Sequence, residues 1–492
     1  MNRQHYSLLF VLGACLLLCL AWCPLYDSLL DDKEFFKYTG MALLRGNVPY
    51  RDFFDHKPPL IYFIHCAGLY FGPWGLWTIN TLLALLTTYL FFQLNKRHQL
   101  PFPWLLPLLF NLMIRNPLVN MGINLTREYT AFFTLLFFCI LAGRSRYRHF
   151  LLGFLSALIF FTQQDQFLLL IPFLIYALIS DPAPPQRPVI WLGVGFLSVT
   201  VPILLYFASN HGLGYFWEDA FQFNFSVYTA EKKSFGDHFR SIKYALDAIN
   251  FELPVIIAMI LGIAALFMQN KKRGLLIAAL VALLLTLSPE FMGGRSNAWN
   301  EPGYFITYYL PLSATVCILL FVVFAFTEDK LLTGRKARLP YIFLLCCSLG
   351  YTALQNITHL KKNADDPIRK VPELAWLRQQ NPGDYQFYVF NNNQYIIFYN
   401  ELKILAPSRW LYHHFWVNYE NWDPDHKILQ NISEDLLRHR TAYILMDPAT
   451  LSTFRNPANR DWWISFMNTW YEPVTVSGST SHILWRLKNI SQ

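Results

Sequence analysis

Apolar runs separated by short polar or basic connections follow one another from Ser7 to about residue 358, after which charges recur every few positions. A run of roughly 20 apolar residues is long enough to cross the hydrocarbon of a bilayer. The first, Ser7 to Tyr26, follows the basic start Met1-Asn2-Arg3 and lacks a small-residue cleavage site. It predicts an uncleaved helix with its N-terminus in the cytoplasm. The other predicted spans are 74–94, 101–118, 128–143, 150–162, 166–180, 189–208, 252–269, 274–289, 304–326 and 339–358. Two of these boundaries rest on a choice. Leu60 to Phe71 is too short to cross and ends in Gly72-Pro73, so it is read as a helix lying on the outer surface. Phe150 to Ser180 is read as a hairpin broken at Gln163-Gln164-Asp165, which keeps Lys271-Lys272-Arg273 and Arg335-Lys336-Ala337-Arg338 on the cytoplasmic side. The eleven resulting helices place the C-terminus outside.

Beyond residue 360 the periodicity changes. Gln386–Phe390, Tyr395–Tyr399 and Ala442–Met446 read as strands, and Pro372 to Gln380 as a helix. The chain therefore divides into a transmembrane region, 1–359, whose first outer loop is 27–73, and an extracytoplasmic α/β domain, 360–492. The expected fold class is a polytopic α-helical membrane protein with outer juxtamembrane helices and this C-terminal soluble domain.

Composition supports that division. Hydrophobic residues make up 54% and aromatics 17% of the 492, and charged residues only 15%, against about a quarter in soluble domains. Disorder, coiled coil and collagen are excluded by the same figures. The net charge of +8 fits basic cytoplasmic loops better than nucleic-acid binding. All eight cysteines, among them Cys15, Cys19, Cys139 and Cys346-Cys347, lie in apolar runs, so neither a disulfide framework nor a zinc site is expected. No Gly-rich phosphate loop is present, and no ligand spacing indicates a divalent metal or other cofactor.

Chemistry concentrates in Asp31 to Gly72. Asp31, Asp32 and Glu34 open a surface helix, where acids suit the positive end of the dipole. Gly46, Pro49-Tyr50, Asp52 and His56-Lys57-Pro58-Pro59 follow, ahead of the interfacial helix. This series resembles the first extracytoplasmic loop of GT-C class membrane glycosyltransferases. It is most similar to the bacterial polyprenyl-phosphate-sugar enzymes related to protein O-mannosyltransferases and to the aminoarabinose transferase of lipid A. The matching positions are Asp31-Asp32, Phe36, Gly46, Pro49-Tyr50, Asp52, Lys57-Pro58-Pro59-Leu60 and Phe71-Gly72. Thr126-Arg127-Glu128 resembles the family's second acidic site. Gly153 to Gln164 and Tyr304 to Pro311 are looser matches, with Gln163 where lysine is common and Thr307 in place of histidine.

The resemblance implies inverting transfer of a sugar from a polyprenyl-phosphate donor to an acceptor hydroxyl of protein, lipid or glycan, at the outer face of the inner membrane. Asp32, or else Asp31, is the candidate base; Glu128 assists it or positions the acceptor. Lys57, Arg127 and Arg295 are candidate phosphate ligands, and Tyr50, Asp55, His56 and Tyr308 candidate substrate contacts. Two alternatives remain open: a flippase for polyprenyl-linked sugars, and a polymerase or ligase using a diphosphate-linked donor. The aromatic run Trp217 to Tyr228 is read as membrane-interface residues.

The topology is testable in intact cells. A cysteine at Arg335 should react only with a membrane-permeant thiol reagent, and one at Gln430 with an impermeant reagent. The opposite labelling would invert the assignment.

Overall fold

Among the described residues, nine helices of ten or more residues precede a small mixed sheet along the chain. The computed structural model describes residues 3–25, 31–98, 103–115, 124–143, 145–180, 186–224 and 370–488, apart from 412–422, 424, 453 and 480–482; it also describes 274, 275, 277–282, 350, 354 and 357. The helices are α1 Arg3–Leu20, α2 Asp31–Leu44, α3 Leu60–Tyr70, α4 Gly75–Arg97, α5 Leu105–Ile114, α6 Thr126–Ala142, α7 Arg148–Thr162, α8 Gln164–Ile179 and α9 Gln186–Ser209. A short helix, α10 (Leu213–Trp217), runs on as a π-helical turn, Glu218–Gln222.

Each predicted span through 189–208 falls on one of these helices. Gln163 is extended, with φ −156° and ψ 95°, and separates α7 from α8 at the expected break. Among the described residues, two helices are long and apolar enough to cross a bilayer by themselves, Gly75–Arg97 and Arg187–Ser209. Of the 101–118 span, residues 103–115 are described, and α5 covers ten of them. The predicted helices 252–269, 304–326 and most of 339–358 lie outside the described residues, as does half of 274–289.

Polar side chains and glycines stitch the bundle together. Asn111 of α5 donates to Thr88 of α4 at 2.7 Å and accepts from Cys15 of α1 at 3.2 Å. Such pairs join helices where apolar burial alone provides no preference over lipid. α7 and α9 meet backbone to backbone. A Cβ at Gly153 would lie 2.0 Å from the carbonyl oxygen of Leu192, and one at Gly195 would lie 2.0 Å from that of Phe150.

The C-terminal layer contains α11 Pro372–Gln380, β1 Phe387–Phe390, a 3-10 turn Asn393–Ile396, α12 Ile397–Leu402, α13 Lys427–Arg438, β2 Tyr443–Met446, α14 Pro448–Ser452, α15 Pro457–Trp470, β3 Tyr471–Val474 and β4 Ile483–Leu487. The sheet order is β1-β2-β4-β3, parallel between β1 and β2 and antiparallel elsewhere. Tyr395–Tyr399, expected as a strand, is helical instead. Its side chains are buried on all sides of the turn, Asn392 caps it by accepting from the Gln394 amide, and Lys403 ends it in the left-handed conformation. An uninterrupted apolar run of five residues fits a buried helical turn as well as a strand.

The α7–α9 contact sets a stability prediction. Gly195→Ala should destabilise the protein by about 1–3 kcal/mol through overpacking. Gly193→Ala, where a Cβ meets nothing within 4 Å, should leave thermal unfolding near wild type.

Candidate functional site

The loop between α2 and α3 is built from short-range constraints. Gly46 leaves α2 with φ 89°, a conformation that costs glycine little. Tyr50 adopts φ 67°, which is strained for a bulky side chain. Its surroundings hold it there: the hydroxyl donates to the Lys57 carbonyl at 2.7 Å, and the ring packs on Tyr62, Phe207 and Phe216. Asp52 accepts two hydrogen bonds from Arg51, each 2.8 Å, and one from the Val48 amide at 2.7 Å. Pro58 and Pro59 then fix φ at the entry to α3.

Folding this loop over α2 brings the leading sequence candidates together. Lys57 Nζ lies 3.2 Å from an Asp32 carboxylate oxygen, with the side chains 13% and 19% exposed. The ammonium also sits 4.8 Å above the Phe36 ring. Asp31 begins α2 beside Asp32. Asp55, two residues before Lys57, is fully buried. It accepts from the Tyr62 hydroxyl and the His56 amide, both at 2.7 Å, and the His56 ring lies 3.3 Å away. Burial raises the Asp55 carboxyl above the usual range, with Lys57 opposing the shift. Tyr50 and Asp55 thus shape the loop from within, while His56 and Lys57 are only half-buried.

Glu128 occupies a separate, enclosed network. It pairs with Arg115 at 3.1 Å, and both side chains are essentially inaccessible. Arg115 also donates to Asn80 at 2.7 Å. The other Glu128 oxygen accepts from the Asn124 amide at 2.6 Å. Asn124, at φ 66°, accepts from the Tyr129 hydroxyl at 3.0 Å, and its carbonyl lies 2.9 Å from His65 Nε2 on α3. Burial lowers the His65 pKa to about 3, so the neutral ring donates through Nε2. Glu128 therefore locks the start of α6 to α3, α4 and α5. Arg127 is buried next to it. Arg295 and Tyr308 lie outside the described residues.

Residues remote in sequence complete the surroundings. The C-terminal segment Leu405–Leu411 crosses the loop, and the Phe54 amide donates to the Arg409 carbonyl at 2.8 Å. Phe54 stacks on Trp410 with centroids 5.1 Å apart. The Arg409 guanidinium pairs with Asp219 and lies over Tyr215 and Trp410 at 5.0 and 4.8 Å. Asn224 donates to the His56 carbonyl at 2.8 Å. Burial outweighs the pairing with Arg409 and raises the Asp219 pKa to about 7. Sequence reasoning missed Arg115, although a lone arginine inside an apolar run is itself a signal. Nothing local marks Arg409 or Asp219.

No family model matches the chain, and no curated protein matches it. Solved structures do. ArnT from Cupriavidus metallidurans bound to undecaprenyl phosphate superposes with a TM-score of 0.60 at 12% identity, over 99% of both chains. Its apo state gives 0.59 at 12% identity, over 98% of both. The chain has the GT-C-like fold of that aminoarabinose transferase.

Asp219 generates a pH prediction. Its carboxyl is raised in the folded protein, so the folded state binds more protons than the unfolded one between the ordinary carboxylate value and about 7. The Asp219 contribution to stability therefore falls as pH rises through that window. The melting temperature of Asp219→Asn relative to wild type should climb across the same range. A difference that stays constant or declines with rising pH would contradict the assignment.

Proposed function

We propose that the protein is an inverting glycosyltransferase that moves a sugar from a polyprenyl-phosphate donor to an acceptor hydroxyl at the outer face of the inner membrane. The observation that carries this reading is the partly exposed Asp32–Lys57 pair, with oxygen and nitrogen 3.2 Å apart. The GT-C-like fold supports it, as does the undecaprenyl phosphate bound to the ArnT structure. In this reading the N-terminus is cytoplasmic, and the first loop and residues 360–492 lie outside.

Asp32 accepts the proton of the acceptor hydroxyl as its oxygen attacks C1 of the sugar. The bond from C1 to the phosphate oxygen breaks on the opposite face, and inversion results. The phosphate departs as an anion that needs no proton, and Lys57 offsets the charge growing on it. An ammonium carries three donors, so Lys57 can hold phosphate while one N–H remains on Asp32. Arg127 and Arg295 are further phosphate ligands in this scheme, and His56 and Tyr308 substrate contacts. Asp55, Tyr50 and Glu128 keep the two loops in place.

Purified protein in liposomes, supplied with labelled donor, tests the reading. Asp32→Asn should lower transfer by about 10²–10⁴-fold with little change in thermal stability. Retention of more than about a tenth of activity would move the base to Asp31. Lys57→Ala should lower kcat and raise the donor KM, and Lys57→Arg should recover part of both, because charge is kept while geometry changes. Unchanged kinetics for Lys57→Ala would refute the phosphate role. Donor flipping without transfer by the wild type would refute the enzyme reading.

A further inference from the structure

Phe53 and Phe54 are adjacent, yet they are buried in different places. Phe53 belongs to the core that the helices share with part of the C-terminal layer. Phe54 belongs to the core formed by Tyr388, Phe390, Ile444, Met446 and Trp463 of the sheet and its helices. The loop is therefore seated in the C-terminal core one residue before Asp55-His56-Lys57. Arg409 fastens this seat on two sides. Its carbonyl accepts from the Phe54 amide, and its guanidinium crosses to Asp219 on the π-helical turn. That turn leads into Asn224, which holds the carbonyl of His56. The guanidinium is planar and lies among Phe54, Tyr215 and Trp410. An arginine can stack and ion-pair there at once, whereas a lysine presents a point charge.

We infer that Arg409 is a positioning residue for the Asp32–Lys57 pair, acting through Phe54 and through Asp219 and Asn224 on the backbone of residues 54–57. This rests on the reading of Asp32 and Lys57 given above. The main chain from Phe54 to Lys57 is held by the C-terminal layer at one end and by Tyr50, whose hydroxyl donates to the Lys57 carbonyl, at the other. Releasing the Arg409 end frees the register of Lys57 against Asp32 without removing either reacting group. Displacements of about 1 Å at such a distance can cost on the order of 100-fold in rate.

Arg45 provides the control. It joins α2 to the same C-terminal layer, through Asp384 at 2.7 Å and the Lys403 carbonyl at 2.6 Å, but its bonds do not involve residues 54–57. The test compares Arg409→Ala, Arg409→Lys, Asp219→Asn and Arg45→Ala in the full-length protein. Two measurements need no turnover: amide hydrogen exchange over residues 50–58, and binding of a long-chain polyprenyl phosphate in detergent. A third is kcat and donor KM for transfer. Arg409→Ala should speed exchange at 54–57 and weaken phosphate binding by on the order of 10-fold. Arg409→Lys should fall between it and wild type, Asp219→Asn should follow the same direction, and Arg45→Ala should match wild type in all three. Unchanged exchange and binding in Arg409→Ala would overturn the inference. Equal effects of Arg45→Ala would overturn it too, by reducing Arg409 to a general docking contact. Should Arg409→Ala fail to fold, the Arg409→Lys and Asp219→Asn comparison with Arg45→Ala decides in the same way. Absence of transfer by the wild type would defeat the functional reading, while exchange and binding would still report on Arg409.

Discussion

The seating of Phe53 and Phe54 in two different hydrophobic cores is the constraint on which the arrangement around Lys57 depends. Neighbouring side chains on extended backbone point to opposite sides, so one short segment can join two packed layers. Once both rings are buried, the following residues have little freedom. Asp55 is held by the Tyr62 hydroxyl, and the carbonyl of Lys57 by the Tyr50 hydroxyl. The Lys57 side chain extends across Phe36 toward Asp32. Strain at Tyr50 is tolerated because this packing over-determines its position.

The molecule separates its charges into two kinds of environment. Arg115 and Glu128 are fully enclosed; removing one partner from such a pair typically costs about 3–5 kcal/mol, because the other remains buried and uncompensated. Their value is architectural, since Asn80 of α4 accepts from Arg115, the Asn124 amide ahead of α6 donates to Glu128, and His65 of α3 meets the Asn124 carbonyl. Asp32 and Lys57 are partly open, so their partners can be exchanged with less desolvation. A group that must meet a substrate belongs in the second environment, and a group that must hold a helix start belongs in the first.

Twelve per cent identity over nearly the whole of both chains is compatible with a shared fold because a helical bundle needs apolar volume and close approach more than particular side chains. Gly153 and Gly195 illustrate the point: they are required by the distance between two backbones and by no chemistry. The features that could carry chemistry are few and cluster around the loop between α2 and α3.

Much of this was legible in the sequence. The helices follow from apolar runs, since hydrogen bonds within each segment satisfy its backbone whatever lies beside it. The break at Gln163 and the short helix α3 follow from length and polarity. The first-loop series, from Asp31-Asp32 to Lys57-Pro58-Pro59, was conspicuous because charges stand out against an apolar background. Other features were decided only by tertiary packing. Tyr395–Tyr399 forms a helical turn because it is buried against Tyr38 and neighbouring residues of α2, a contact its own pattern does not encode. Glu128 answers to Arg115 rather than to the Asp32 region, and Arg409 reaches Phe54 across more than 350 positions of chain. Pairings of that kind depend on which surfaces meet after the helices and the sheet have formed. Local sequence sets the elements, and non-local burial chooses their partners.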